Sequence, residues 1–201
     1  MTECNLLVAV EDELSAAVMR RLIQTTGRKF VISRTINARG YGRLKADMAK
    51  FKSASHVLPH VVLTDLDQYP CPPALLKDWK ATALPPRLLL RIAVREVEAW
   101  LLADREGIAN FLSVAKNKVP QDPEAEADPK RTLINLARKS RRQRLAIEMV
   151  PETGSSAPIG PLYNARLSEF VNTHWDVENA RTVSPSLDRA LSRLASFMLP
   201  Q

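Results

Sequence analysis

Two short runs of mostly apolar residues, each followed by acidic residues, place the strongest constraint on the fold of this chain. Residues 6–10 precede Glu11, and residues 61–64 precede Asp65 and Asp67. Runs of four to eight such residues are typical of strands buried on both faces, as in parallel sheets covered by helices. Functional groups in these sheets gather at the carboxyl ends of the strands. We therefore expect the three carboxylates to share one edge of a sheet.

Strands and helices alternate along the first half of the chain. Apolar runs and alternating segments predict strands at residues 4–10, 29–35, 60–65 and 87–94. Apolar residues at helical spacing predict intervening helices at about residues 12–25, 43–55 and 74–80. This order predicts an α/β fold, Rossmann-like, with a central and mostly parallel sheet covered by helices on both faces.

After about residue 95 the pattern becomes helical. Short helices are predicted within residues 96–112, followed by a loop at 116–129, a basic helix at about 130–148, and helices at about 162–173 and 186–198. We therefore divide the chain into an α/β core, residues 1–115, and a helical extension, residues 116–201, packed on that core.

The composition is that of an ordinary globular protein. The chain has 201 residues, of which 45% are hydrophobic and 25% charged. No stretch reaches the roughly 18 apolar residues of a membrane span. Residues 1–5 lack the basic start of a signal peptide. We expect a cytoplasmic protein with no membrane partner.

The chain is basic, with a net charge of +7. Much of the excess lies in a basic block that comprises Lys130, Arg131, Arg138, Lys139, Arg141, Arg142 and Arg144. Such a block is either a solvated helix face or a contact surface for a polyanion such as nucleic acid. The sequence leaves both interpretations open.

The acids suit a divalent cation. Carboxylate oxygens are preferred ligands of Mg²⁺ or Mn²⁺, so Glu11, Asp65 and Asp67 are candidate metal ligands and catalytic residues. In extended backbone Asp65 and Asp67 project to the same side. A metal held there would polarise a phosphoryl oxygen and activate a water molecule. Taken singly, each acid is better explained by a helix start or a turn, but their joint occurrence at matching strand ends favours a functional site.

The acidic strand ends, at residues 10–11 and 63–67, resemble those of a Toprim domain, the fold of topoisomerases, bacterial primases and overcoming-lysogenization-defect (OLD) nucleases. A closer likeness is to a small bacterial family of Toprim-like proteins related to these nucleases. That likeness rests on residues 96–104, 128–130 and 160–164 and covers most of the chain. The resemblance implies a Toprim-like fold with a metal-dependent nuclease site.

The resemblance also implies a biological setting and further site residues. It implies a Mg²⁺- or Mn²⁺-dependent endonuclease that hydrolyses nucleic acid, DNA rather than RNA, in antiviral defence or DNA processing, beside an ABC-type ATPase subunit. Lys130 matches a lysine that stabilises charge on the scissile phosphate in related nucleases. Glu98 is the best candidate for a further metal ligand or base, and Glu96 is second. On a helix these two glutamates point about 200° apart, so only one should face the site.

Two positions depart from the family pattern. Asp12 stands where Toprim domains usually have glycine, and Ser15 stands where OLD-type nucleases have a further acid. Asp12 and Glu13 are the candidates to replace that acid.

Two other functions remain open. Residues 10–13 followed by Asp65 resemble the acid pair and phospho-acceptor of a receiver domain in two-component signalling. However, the fourth strand does not end in a hydroxyl residue, and the chain has no Lys-Pro pair, both of which a receiver needs. The third interpretation is a non-catalytic module that binds nucleic acid or a partner protein through the basic block.

Overall fold

The protein is an α/β domain built on one parallel sheet. A computed structural model describes residues 3–197. Four strands within them pair in the order β2-β1-β3-β4, all parallel. The strands are β1 (Cys4–Val10), β2 (Phe30–Asn37), β3 (His60–Asp65) and β4 (Leu88–Ala93). The predicted α/β, Rossmann-like class is confirmed, and each strand lies within two residues of its predicted bounds.

Within residues 3–197, ten α-helices follow or separate these strands. The first three alternate with strands as predicted: α1 (Glu13–Thr25), α2 (Tyr41–Ala54) and α3 (Pro72–Asp78). The others come after β4: α4 (Val97–Ala103), α5 (Arg105–Leu112), α6 (Pro129–Arg138), α7 (Gln143–Met149), α8 (Tyr163–Thr173), α9 (Val177–Arg181) and α10 (Pro185–Ala195). No described helix, from residue 3 to residue 197, is both long and apolar enough to cross a membrane.

Side chains of the central strands enter two separate cores. Leu6, Val8 and Val10 face the larger core, which also contains side chains of α1, α4, α8 and α10. Leu7 and Ala9 face the smaller core, against α2 and α3. Because side chains alternate along a strand, the apolar residues 6–10 of β1 are buried on both faces of the sheet.

Three details of the extension differ from the predictions. The predicted basic helix at 130–148 is two helices, α6 and α7, separated by residues 139–142. The 116–129 loop is fixed by Glu124, whose Oε1 accepts hydrogen bonds from the Ser184 hydroxyl and the Ser186 backbone N–H. Helix α9 was not predicted. Met198, the last residue of the predicted final helix, lies outside the described residues.

Candidate functional site

Glu11 and Asp65 meet at the carboxyl edge of the sheet. Strands β1 and β3 are neighbours, so their ends lie side by side. The Glu11 Oε1 atom accepts a hydrogen bond from the Thr64 hydroxyl at 2.5 Å and another from the Asp65 backbone N–H at 3.0 Å. Burial raises the pKa of Glu11, although these two hydrogen bonds oppose the shift. The expectation that the two strand ends share one edge is confirmed.

Asp65 connects the end of β3 to the start of α4. Its Oδ1 accepts a hydrogen bond from the Val97 N–H at 3.0 Å. Burial raises the pKa of Asp65 well above its usual value, and the charges of Glu98 and Glu11 raise it further. The folded protein therefore holds Asp65 where a negative charge is unfavourable unless a cation compensates it.

Asp67 reaches the same region by a different backbone path from the one predicted. Strand β3 ends at Asp65, and Asp67 has a φ of 49°, in the left-handed region. The prediction that these two residues lie in continuous extended backbone is therefore wrong. The N–H groups of Leu66 and Asp67 both donate to the Arg95 carbonyl, at 2.9 and 3.0 Å, which holds the turn. Burial raises the pKa of Asp67, while Lys130 lowers it.

Glu98 is the most buried acid of the site. Only 2% of the residue is exposed, and its Oε1 accepts a hydrogen bond from the Tyr163 hydroxyl at 3.3 Å. Its Oε2 has no hydrogen-bond partner within residues 3–197. Burial raises the pKa of Glu98 to about 7, although Lys130 acts in the opposite direction. An unpartnered, buried carboxylate oxygen is costly unless a ligand satisfies it.

Lys130 brings the positive charge. It lies in the first turn of α6, where the Asp128 side chain caps the helix and Pro129 occupies the first helical position. The Lys130 Nζ is 3.4 Å from Glu96 Oε1 and 3.7 Å from Glu98 Oε1. Burial acts against the ammonium, but the acids around it raise its pKa above the ordinary lysine value.

Glu96 and Glu98 both face Lys130, which contradicts the prediction that only one of them would face the site. The predicted angle of about 200° between them holds only if both residues lie on a helix. Glu96 instead precedes α4 in extended backbone, with φ −140° and ψ 162°, so the angle of 100° per residue does not apply to it. Its Oε2 accepts a hydrogen bond from the Lys130 backbone N–H at 3.0 Å.

Asp12 and Glu13 differ in their relation to the site. The Asp12 side chain caps α1 by accepting from the Ser15 N–H at 2.8 Å, and its charge raises the pKa of both Glu11 and Glu98. The exposed Glu13 accepts a hydrogen bond from Asn37 at 3.2 Å, toward the sheet edge formed by β2. Of the two candidates, Asp12 is the one near the acids.

The five predicted site residues therefore come together, and two others join them. Thr64 orients Glu11, and Tyr163 contacts Glu98. Thr64 was visible as the only hydroxyl in an apolar run. Tyr163 lies in the segment 160–164 that carries part of the family likeness, but its contact with Glu98 was not predictable, because the two residues are 65 positions apart and meet only through the packing of α8.

The site has several acids and one lysine. Among residues 3–197, no three acidic, histidine or cysteine side chains converge as a complete set of metal ligands. The oxygen donors nevertheless fit a hard cation, since Mg²⁺ keeps several waters and needs only one or two carboxylates. The Glu98 Oε2, which accepts no hydrogen bond from residues 3–197, and the raised pKa values of Glu11 and Asp65 favour the binding of a cation at this site.

The basic block does not form one surface. Lys130 points into the acids, Arg142 donates to the Phe111 carbonyl at 3.3 Å, and Arg144 pairs with Glu148 at 3.0 Å. The basic block therefore does not form a continuous polyanion-binding face along a single helix.

We expect Asp65→Asn to stabilise the metal-free protein by about 1–2 kcal/mol at pH 8, because it removes a charge that burial and neighbouring acids disfavour. The amide oxygen can still accept from Val97. The raised pKa of Asp65 sets the sign: as pH falls through it, the native carboxyl takes up a proton and the gain disappears. Urea unfolding at pH 5 and pH 8 measures this. An Asp65→Asn protein that is less stable at both pH values contradicts it.

A family model described as Domain of unknown function (DUF4276) matches residues 10–195. No match was found among curated proteins or among solved structures. The matched residues include both acidic strand ends, Glu98, Lys130 and α8. Because the match spans most of the chain, the protein belongs to the DUF4276 family.

Proposed function

We propose that the protein is a metal-dependent nuclease that hydrolyses phosphodiester bonds at the acid site. One observation carries the proposal: the strand-end acids Glu11 and Asp65 lie in one electrostatic cluster with Lys130 and with the buried Glu98, whose Oε2 accepts no hydrogen bond from residues 3–197. Perturbed acids at the carboxyl edge of a parallel sheet are typical of a functional site.

Glu11, Asp65, Asp67 and Glu98 are the residues that would hold Mg²⁺ or Mn²⁺. The metal would supply a polarised phosphoryl oxygen and a bound water of lowered pKa. Both promote phosphodiester hydrolysis near neutral pH.

The chain's own groups have separate roles in this proposal. Thr64 fixes Glu11 by donating to its Oε1, and Tyr163 does the same for Glu98. Lys130 places an ammonium beside these acids, where it stabilises negative charge that develops on the scissile phosphate. Its pairing with Glu96 keeps the ammonium in position before substrate arrives.

The likeness to Toprim and OLD nucleases supports the reaction class and the wider setting. On that basis we propose a DNA substrate, a cytoplasmic location, a role in antiviral defence or DNA processing, and an ABC-type ATPase partner. The net charge of +7 is consistent with binding a polyanion.

Cleavage of supercoiled plasmid, linear DNA and RNA in Mg²⁺ or Mn²⁺ tests the proposal. We expect cleavage by the native protein and a loss of at least about 10²-fold in an Asp65→Asn, Asp67→Asn variant. Glu13→Gln is the matched control, because Glu13 begins α1 two residues after Glu11 but faces Asn37. Equal cleavage by the native and doubly substituted proteins would contradict the proposal. Absence of cleavage by every protein, with nucleic-acid binding retained, would instead support a non-catalytic module.

A further inference from the structure

Strand β4 forms one edge of the sheet, and its pairing with β3 shows which of its backbone groups face outward. The His60 N–H donates to the Arg87 carbonyl at 2.9 Å, and the Leu66 N–H donates to the Ala93 carbonyl at 2.8 Å. In a parallel pair, every second residue of a strand bonds to the same neighbour. The odd-numbered residues from 87 to 93 therefore face β3, and the even-numbered residues between them face away from the sheet.

Among the described residues, the outward-facing backbone groups of β4 form hydrogen bonds at both ends of the strand but not in its middle. The N–H of Leu88 closes a turn with the preceding loop, and the N–H of Val94 donates to the Ser186 hydroxyl at 3.2 Å. Between them, the outward N–H and C=O groups of Leu90 and Ile92 make no hydrogen bond to any of residues 3–197. Such an edge can pair with another strand.

A groove follows this open edge. Its cavity of about 480 Å³ is lined by four consecutive residues of β4, Leu88 to Arg91, whose side chains alternate between the two faces of the sheet. Leu84, Pro86 and Phe197 also line it. The groove is therefore largely apolar and runs along the strand.

Three arginines flank the groove without acidic partners. Arg91 lines it from β4, and its buried Nε has no hydrogen-bond partner in the described part of the chain, while Arg189 and Arg193 lie on the exposed side of α10. No ion pair within residues 3–197 includes any of the three. Burial, followed by the charges of Arg193 and Arg189, lowers the pKa of Arg91 to about 10. An anionic ligand would relieve this repulsion.

The spacing of the arginines fits an extended peptide. Arg189 and Arg193 are four residues apart on a helix, so they lie about 6 Å apart along its axis. Side chains on one face of a strand repeat every two residues, or about 6.6 Å. Acidic side chains at alternate positions of an added strand would therefore meet successive arginines.

We propose that the β4 edge binds an extended acidic segment of a partner protein as a fifth strand of the sheet. The open N–H and C=O groups of Leu90 and Ile92 give the backbone pairing, and the three arginines select acidic side chains. A nucleic-acid strand would satisfy the arginines, but it lacks the alternating N–H and C=O groups of a peptide backbone that pair with this edge. A second copy of this chain, paired through β4, would bring its own Arg91 against this one.

A capped heptapeptide of alternating valine and glutamate tests this proposal on the full chain by NMR. We expect amide hydrogen exchange of Leu90 and Ile92 to slow at least 10-fold at saturation, with no such protection by the valine–lysine peptide. Two N-methylated forms of the acidic peptide, blocked at alternate positions, separate backbone pairing from charge. One form should bind, because its blocked amides face away from β4, and the other should fail.

The charge contribution is tested with matched variants. Arg189→Glu, Arg193→Glu should weaken binding of the acidic peptide at least 10-fold, whereas Arg138→Glu, Arg141→Glu, on α6 and just after it, should change it less than 2-fold. Circular dichroism checks that both variants fold, and an alanine pair at 189 and 193 repeats the test without reversed charge.

Several outcomes would overturn the proposal. One is equal binding of the two methylated peptides. Another is that the acidic peptide does not slow amide exchange of Leu90 and Ile92. A third is that oligothymidylate, and not the acidic peptide, slows that exchange. Protection already present in a dimer of the free protein, or binding only by a chain shortened after Phe197, would likewise show that the edge has a different occupant.

Discussion

Lys130→Met is expected to destabilise the metal-free protein by about 2–3 kcal/mol at pH 8, because it leaves the buried Glu98 with no cation beside it. Removing one partner of a fully buried pair costs about 3–5 kcal/mol. The Lys130 side chain is 35% exposed, so water screens part of its charge and the smaller figure applies. Urea unfolding measures the loss.

The same substitution should also reduce cleavage by about 10²–10³-fold, the usual effect of removing a group that stabilises transition-state charge. Lys139→Met is the control, because Lys139 is exposed at the end of the same helix and should change stability by less than about 0.5 kcal/mol. The loss of stability should shrink at pH 5, where Glu98 is protonated in the native state, since its pKa is about 7. A Lys130→Met protein as stable and as active as the native protein would show that Lys130 is only a surface residue.

Glu98→Gln is expected to reduce cleavage by about 10²-fold or more, through the loss of a charged metal ligand or base. The glutamine oxygen can still accept the hydrogen bond from Tyr163, so the packing of α4 against α8 should be kept. Activity of the native protein should fall as pH drops below about 7, because protons compete with the metal for Glu98.

Glu96→Gln provides the comparison. Glu96 contacts both the backbone and the side chain of Lys130, so its loss should have a smaller effect, by a factor of about ten or less, through poorer placement of the ammonium. Rates measured over pH 5–9 for both variants separate the two glutamates. A larger loss in Glu96→Gln than in Glu98→Gln would reverse the assigned roles.

The sheet and its acidic edge were predictable because their signals are local. Residues 60–65 form a strand with the predicted bounds, and β1 matches its apolar run. Parallel pairing of β1 with β3 then brings Glu11 and Asp65 together without further information. The sequence signal is an apolar run of strand length and the acidic residue at its end.

Features that depend on the exact end of an element were not predictable. Asp67 lies two residues after the end of β3, and Glu96 lies just before the start of α4, so the strand period of two residues and the helix angle of 100° per residue do not apply to them. Tyr163 reaches Glu98 through a contact between distant segments, which the sequence pattern does not show. The open edge of β4 depends on strand order, which the apolar pattern does not specify.

The division of the basic block also depended on packing. Every basic residue from Lys130 to Arg144 suits a helix, and none marks a break. The chain nevertheless leaves the helix after Arg138, where the Arg141 N–H donates to the Ser113 carbonyl at 3.4 Å and Arg142 donates to the Phe111 carbonyl at 3.3 Å. The charge pattern alone does not predict that these residues contact the C-terminal end of α5.

Direct titration of Mn²⁺ into the metal-free protein, followed by electron paramagnetic resonance, tests most directly whether the acid site holds a divalent cation. We predict saturable binding by the native protein and by Glu13→Gln. Affinity should be at least about tenfold weaker in Glu11→Gln and in Asp65→Asn, because each removes a ligand charge. Mn²⁺ binding of equal strength in all four proteins, or no binding by the native protein, would contradict a metal site at this edge of the sheet.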